Sequence, residues 1–194
     1  MTAFGRIEGL AGRPAGSLAM AGWASAEAIV LPVVPDVGLC LLVLAAPRLV
    51  VRLFLAVIAG ALAGTLLLAA MASASPDATR ATLLTLPGID PTMFSQVGSD
   101  LAAHGTAGFG QFGPGPPLKV FTVEWVGQGG DVPGLLVGTI VNRFTRIGPV
   151  VLVAAALGWR LRGWLRGRER VILLAYGAAW IIFYAGYLAA VAVT

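Results

Sequence analysis

Apolar positions along the chain gather into long runs separated by short polar punctuation, and the runs predict helices at membrane depth. Ala24 to Ala46, Leu49 to Ala72, Pro133 to Leu157 and Val171 to Val193 are each long enough to cross a bilayer, which takes roughly 20 apolar residues. The run 49–72 carries only Arg52, near its start, and the run 133–157 holds Arg143 and Arg146. Between them, 73–105 is less apolar, with Asp77, Arg80, Asp90 and Asp100 among Pro, Gly and Ser, and reads as the main extramembrane connection. Leu83, Leu84 and Leu86, then Met93, Phe94, Val97 and Leu101, predict short amphipathic helices there on the bilayer surface.

Two segments are broken. Pro32 and Pro35 interrupt 24–46, because proline removes a donor and disfavours helix at the residue before it. The prediction is a re-entrant hairpin over 24–46 that enters, turns near the prolines and leaves on the same side. The stretch 106–130, with Gly113-Pro114-Gly115-Pro116-Pro117, Lys119 and Glu124, repeats that logic as a second re-entrant hairpin. Broken backbone at membrane depth is tolerated only where protein covers it or it lines a wet cavity. In the intervening helix, Gly60 and Gly64 have the spacing that lets a second backbone approach closely.

Composition narrows the class. Of 194 residues, 58% are hydrophobic and 11% charged, against about 25% charged in soluble domains. The chain reads as one all-α integral membrane domain over 1–194. Its net charge of +4 comes from basic residues beside apolar segments, so topology and lipid headgroups explain it better than nucleic acid. Cys40 and His104 are the only residues of their kinds, which excludes disulfide frameworks, Cys/His zinc sites and Cys-His catalysis within one chain. A lipid phosphatase would ordinarily want histidine chemistry, so the chain reads as a non-enzyme without a cofactor. The first 25 residues, with Arg6 and Arg13 ahead of a glycine-diluted stretch, read as uncleaved.

Charge then orients the chain. Trp159 to Arg170 holds five arginines against one glutamate, which makes it a cytoplasmic loop. Counting spans backward puts 73–105 outside, Arg6, Arg13, Arg48 and Arg52 inside, the N-terminus inside and the C-terminus outside. The two hairpin-plus-helix units then enter from opposite sides. Pro117 stands 85 positions after Pro32, and Pro133 stands 86 after Pro47. The predicted fold is an inverted repeat of re-entrant hairpin plus transmembrane helix, with an added C-terminal transmembrane helix, an arrangement found in transporters.

The candidate chemistry lies in Glu27, Asp36, Lys119, Glu124, Arg143 and Arg146, three acids and three bases at membrane depth. Fixed cations suit a phosphate headgroup, since charge-assisted bonds are strong and arginine offers a fork. Lys119, Arg143 and Arg146 are the expected phosphate-binding set, and Glu27 and Asp36 the expected proton-coupling or gating pair. A structural salt-bridge network, snorkelling side chains, or a small-ion or proton exchanger would use the same residues. Trp159 and Trp164 beside the arginines read as interfacial anchors, and Trp180, Phe183, Tyr184 and Tyr187 as packing and interfacial aromatics.

The residues also resemble a known family. Glu27, the intervening Pro32 and Pro35, and Asp36 are similar to the Glu…Pro-x-Pro-x-Glu/Asp hairpin of the DedA family, also called VTT or SNARE-associated membrane proteins. Pro116-Pro117-Leu118-Lys119-Val120, Gly127, Val132-Pro133 and Asn142-Arg143-Phe144-Thr145-Arg146 resemble the second-half series of its YqaA-like branch, with Asn142 where that branch usually has glycine and Val132 where it often has methionine. The resemblance implies a multi-pass protein of the bacterial cytoplasmic (inner) membrane with opposed re-entrant hairpins. It also implies a flippase or scramblase moving an anionic lipid, undecaprenyl phosphate or a phospholipid, between leaflets, in some members with proton coupling. A homodimer is compatible with the same residues, and a non-transporting structural membrane protein is the alternative reading.

Overall fold

Helix α4 (Val50–Ala74) is the axis of the molecule, and its 25 residues make it about 37 Å long, enough for the roughly 30 Å hydrocarbon core. The computed structural model describes residues 2–110, 115–161, 163–164 and 167–192. Gly113 and Pro114 of the second break, Arg162 and Arg166 of the basic loop, and Val193 lie outside the described residues. Everything regular in the described residues is helical, in ten α-helices and two 3-10 turns.

Helices α1 (Ala3–Gly12) and α2 (Pro14–Ile29) meet at Arg13, where Pro14 opens the second helix. Arg52 bridges that junction, donating to the carbonyls of Gly12 at 3.0 Å and Arg13 at 2.9 Å and to the Ser17 hydroxyl at 2.9 Å. It thereby partners the Gly12 carbonyl at the end of α1 and joins the Gly16 amide on that of Arg13. From there α2 climbs beside α4 in the same direction. A Cβ on Gly60 would run into the Ala21 carbonyl, and one on Gly64 into the backbone of Ser25 and the Ala28 methyl. The glycine pair is therefore a packing face, the close approach that small residues allow. The helix before the first break begins at Pro14, ten residues before the apolar run predicts.

The chain breaks over 30–35 and resumes as α3 (Asp36–Ala45), which packs on α9 (Gly148–Arg160) rather than on α2. After α4 come α5 (Pro76–Leu84) and α6 (Pro91–His104), in the stretch expected to hold short helices. A 3-10 turn at Gly105–Phe109 precedes the second break, and α7 (Leu118–Gly127) packs on α4 and α6. The expected continuous span 133–157 is two helices, α8 (Val132–Arg146) and α9, bent by 42°. Pro149 is the cause, because it cannot donate into the α8 ladder and disfavours helix at Gly148.

Helix α10 (Glu169–Ala192) closes the chain. Among the described residues two helices are long and apolar enough to cross a membrane, or three if the bent pair counts as one span. Leu55 and Leu67 on α4, Leu152 and Val153 on α9, and Ile181 and Ile182 on α10 face outward with more than half their surface open. On a water-soluble protein, apolar surface of that extent would be an association site.

One end of the molecule gathers the bases. Arg48 pairs with Glu8 at 3.0 Å, Arg52 holds the α1–α2 junction, and the Phe4 amide donates to Glu169 at 3.2 Å. The other end gathers the acids, where Asp90 caps α6, Asp131 caps α8, and Glu124 pairs with Arg80 at 3.0 Å.

Candidate functional site

Glu27 is on the last turn of α2 and Arg143 on the last turn of α8, and α4 lies against both helices. Their side chains are 3% and 2% exposed as residues and form an ion pair through Arg143 Nη2 and Glu27 Oε2. Two charges out of water need each other, so neither is tolerable there alone. Arg143 Nε is buried with no hydrogen-bond partner among the described residues.

The remaining cations hold the broken backbone. Lys119, on the first turn of α7 and 2% exposed, donates from Nζ to the Leu31 carbonyl at 2.8 Å. Arg146 donates from Nη1 to the Pro116 carbonyl at 3.1 Å. Each break thus has an open carbonyl capped by a base, which satisfies an acceptor that irregular backbone would otherwise leave unpaired. Pro32 and Pro35 fall within the first break, and Pro116 and Pro117 immediately precede α7.

Asp36 is the first residue of α3, where a helix N-terminus favours negative charge. It is 9% exposed, and its Oδ1 has no hydrogen-bond partner among the described residues. Arg143 and Arg146 act on it electrostatically, without an ion pair in contact. Asn142, beside Arg143, donates from Nδ2 to the Phe109 carbonyl at 3.0 Å and ties α8 to the 3-10 turn before the second break.

A cavity of about 90 Å³ opens among these groups. Glu27, Lys119 and Arg146 line it, with Leu31 and Pro32 from one break and Gly115 and Pro117 from the other. A liquid water takes up roughly 30 Å³, so the space suits a few waters or a small polar group, not a drug-sized molecule. Arg143 and Asp36 are not among the residues that line it. Because Ser25 and Ala28 lie level with Gly64, Glu27 and the cavity sit past the middle of α4, toward the acidic end.

Tyrosines on α10 complete the surroundings, and nothing in the sequence pattern marked them for this. The Tyr184 hydroxyl accepts from the Val34 amide at 2.9 Å, Tyr187 donates to the Gly88 carbonyl at 2.8 Å, and Tyr176 donates to the Val37 carbonyl at 2.7 Å. The loop Leu86 to Ile89 also reaches the cavity, with Gly88 at φ +83°, a left-handed turn that suits glycine. Glu124 is elsewhere, paired with an Arg80 whose guanidinium stacks 4.4 Å from the Phe94 ring. Among the described residues no three His, Cys, Asp or Glu side chains cluster as metal ligands would. Compared with protein families, with curated proteins and with solved structures, the chain shows no match.

Proposed function

We propose that this protein is an inverted-repeat membrane transporter of the DedA-like kind, moving an anionic lipid between leaflets by passing its phosphate headgroup through the charged cavity. The observation that carries the reading is the buried Glu27–Arg143 pair beside Lys119 and Arg146, where two proline-broken segments meet at a small cavity lined by charged side chains among apolar ones. The packing supports the repeat: α3, after the first break, lies on α9 of the second half, and α7, after the second break, lies on α4 of the first. The N-terminus of α7 also faces the cavity through Pro117, and a helix N-terminus with two bases beside it favours an anion.

In this reading the phosphate binds Lys119, Arg146 and Arg143 while the tail stays in the bilayer. Glu27 competes for Arg143 when ionised and releases it when protonated, which gives proton coupling a route. The basic end lies in the cytoplasm and the acidic end outside. The test is lipid flipping by purified protein in liposomes, read with a fluorescent lipid phosphate. Folded Arg143→Ala and Glu27→Gln variants that flip at the wild-type rate would sink it.

Asp36, buried with an unpartnered oxygen, favours a second reading as a proton or small-cation path. Flux of a pH-sensitive dye without lipid movement in the same liposomes selects that reading.

A further inference from the structure

Helix α10 is attached differently from every other long helix. Of its described side chains from Arg170 onward, none is buried, whereas α4 buries a stripe from Leu53 to Ala72. Lipid tails are as apolar as leucine side chains, so no hydrophobic force presses a bare apolar helix onto the bundle. Beside the partly buried Tyr176 ring, what holds α10 is polar: the Tyr176, Tyr184 and Tyr187 hydroxyls, and Glu169 at its start against the Phe4 amide. Phe183, Tyr184 and Tyr187 also wall the cavity on the side that α10 covers.

The Tyr184 bond is the informative one. Val34 lies in the first break, and its N–H has no helical partner; Tyr184 Oη accepts from it. If α10 moved away, that donor would be stranded in a medium without water, unless another acceptor took the place of the phenol oxygen. An anionic oxygen entering the cavity next to Lys119 and Arg146 is such an acceptor.

We propose that α10 is a lateral door to the cavity, latched by Tyr184 and Tyr187, and that the Tyr184 hydroxyl holds the place on the Val34 N–H that a headgroup phosphate oxygen takes when the door opens. This rests on the reading of the cavity as a headgroup site. It adds Val34 N–H to the ligand's donors and gives the headgroup a sideways entry that leaves its tail in lipid.

The test is a spin-label distance in lipid nanodiscs between Leu67→Cys on α4 and Ile182→Cys on α10, both outward-facing, with the buried Cys40 replaced by alanine. The latched protein gives one distance population. Tyr184→Phe/Tyr187→Phe, which keeps both rings, is expected to add a population longer by about 5 Å, half a helix diameter. Dihexanoyl phosphatidic acid is expected to add the same population to the latched protein, and inorganic phosphate at equal concentration is not. An unchanged distance in the double variant overturns the latch. A shift by both ligands assigns the site to free phosphate and overturns the lipid door; a shift by neither overturns the exchange at Val34. A distance that responds to the lipid in a protein that does not flip lipid in liposomes sinks the transport reading and leaves the door standing.

Discussion

Arg143 and Glu27 stand 116 positions apart in the chain and pair with almost no solvent contact. Removing one partner leaves the other charged, buried and unmatched, which costs about 3–5 kcal/mol in such sites. Glu27→Ala and Arg143→Ala should each lose stability of that order in chemical denaturation from mild detergent. The double variant Glu27→Ala/Arg143→Ala should lose less than the sum of the two. Additive losses would mean that the side chains do not interact.

Gly60 and Gly64 set the distance between α2 and α4. Gly60→Ala places a methyl against the Ala21 carbonyl and should destabilise by about 1–3 kcal/mol, as overpacking does. Gly177 and Gly186 on α10 have open space at the same position, so alanine there should change stability by less than about 0.5 kcal/mol. Thermal unfolding of the three variants side by side checks the contrast.

Lys119 lines the cavity, whereas Glu124, five positions on, points to Arg80 outside it. Lys119→Met should slow lipid flipping at least about tenfold, equivalent to some 1.4 kcal/mol. Glu124→Gln should leave the flipping rate within about twofold, a change under 0.5 kcal/mol. Equal losses in the two variants would show that the cavity does not set the rate.

Asp90 caps α6 by accepting from the Thr92 amide at 2.6 Å, and hydrogen bonds from Thr92 hold its carboxyl below the ordinary value of 3.8. A carboxylate with a lowered folded pKa contributes stability above its unfolded pKa and loses it as pH falls through the folded one. The start of α6 should therefore stay intact at pH 5 and loosen only below 3.8. The Thr92 amide resonance followed from pH 5 to pH 2.5 should titrate with a midpoint under 3.8, and Asp90→Ala should abolish the titration.

The gathering of arginines at one end and carboxylates at the other predicts orientation. In a Cys40→Ala background, Thr85→Cys should react with an impermeant maleimide on intact cells. Gly163→Cys should react only after permeabilisation. The reverse pattern would invert the topology.

Much of the frame is legible in the chain. The apolar run 49–72 is α4 (Val50–Ala74), the run 171–193 is α10 (Glu169–Ala192), and Pro32 and Pro35 mark a true interruption, because span length and proline chemistry act locally. The bend at Ile147 was readable too, from Pro149, but the unbroken hydropathy of 133–157 conceals it. The early start of α2 is hidden for another reason. Its buried face includes Gly16, against the backbone of α1, and Ala28, against Gly64 of α4, small residues whose value lies in close approach and not in hydropathy.

By itself the sequence determined the helical class, the long apolar helices, the proline breaks and the presence of six ionisable groups among apolar neighbours, since each follows from composition and short-range spacing. Only the tertiary structure decided partnership. It placed Lys119 on the Leu31 carbonyl across 88 positions and Arg143 on Glu27, and it left Asp36 without a contact ion. It also turned Tyr184, unremarkable in a row of aromatics, into the acceptor for Val34 across 150 positions. Such pairings depend on how helices stack and cross, and a buried charge or open amide takes whichever partner that stacking brings within a few ångströms.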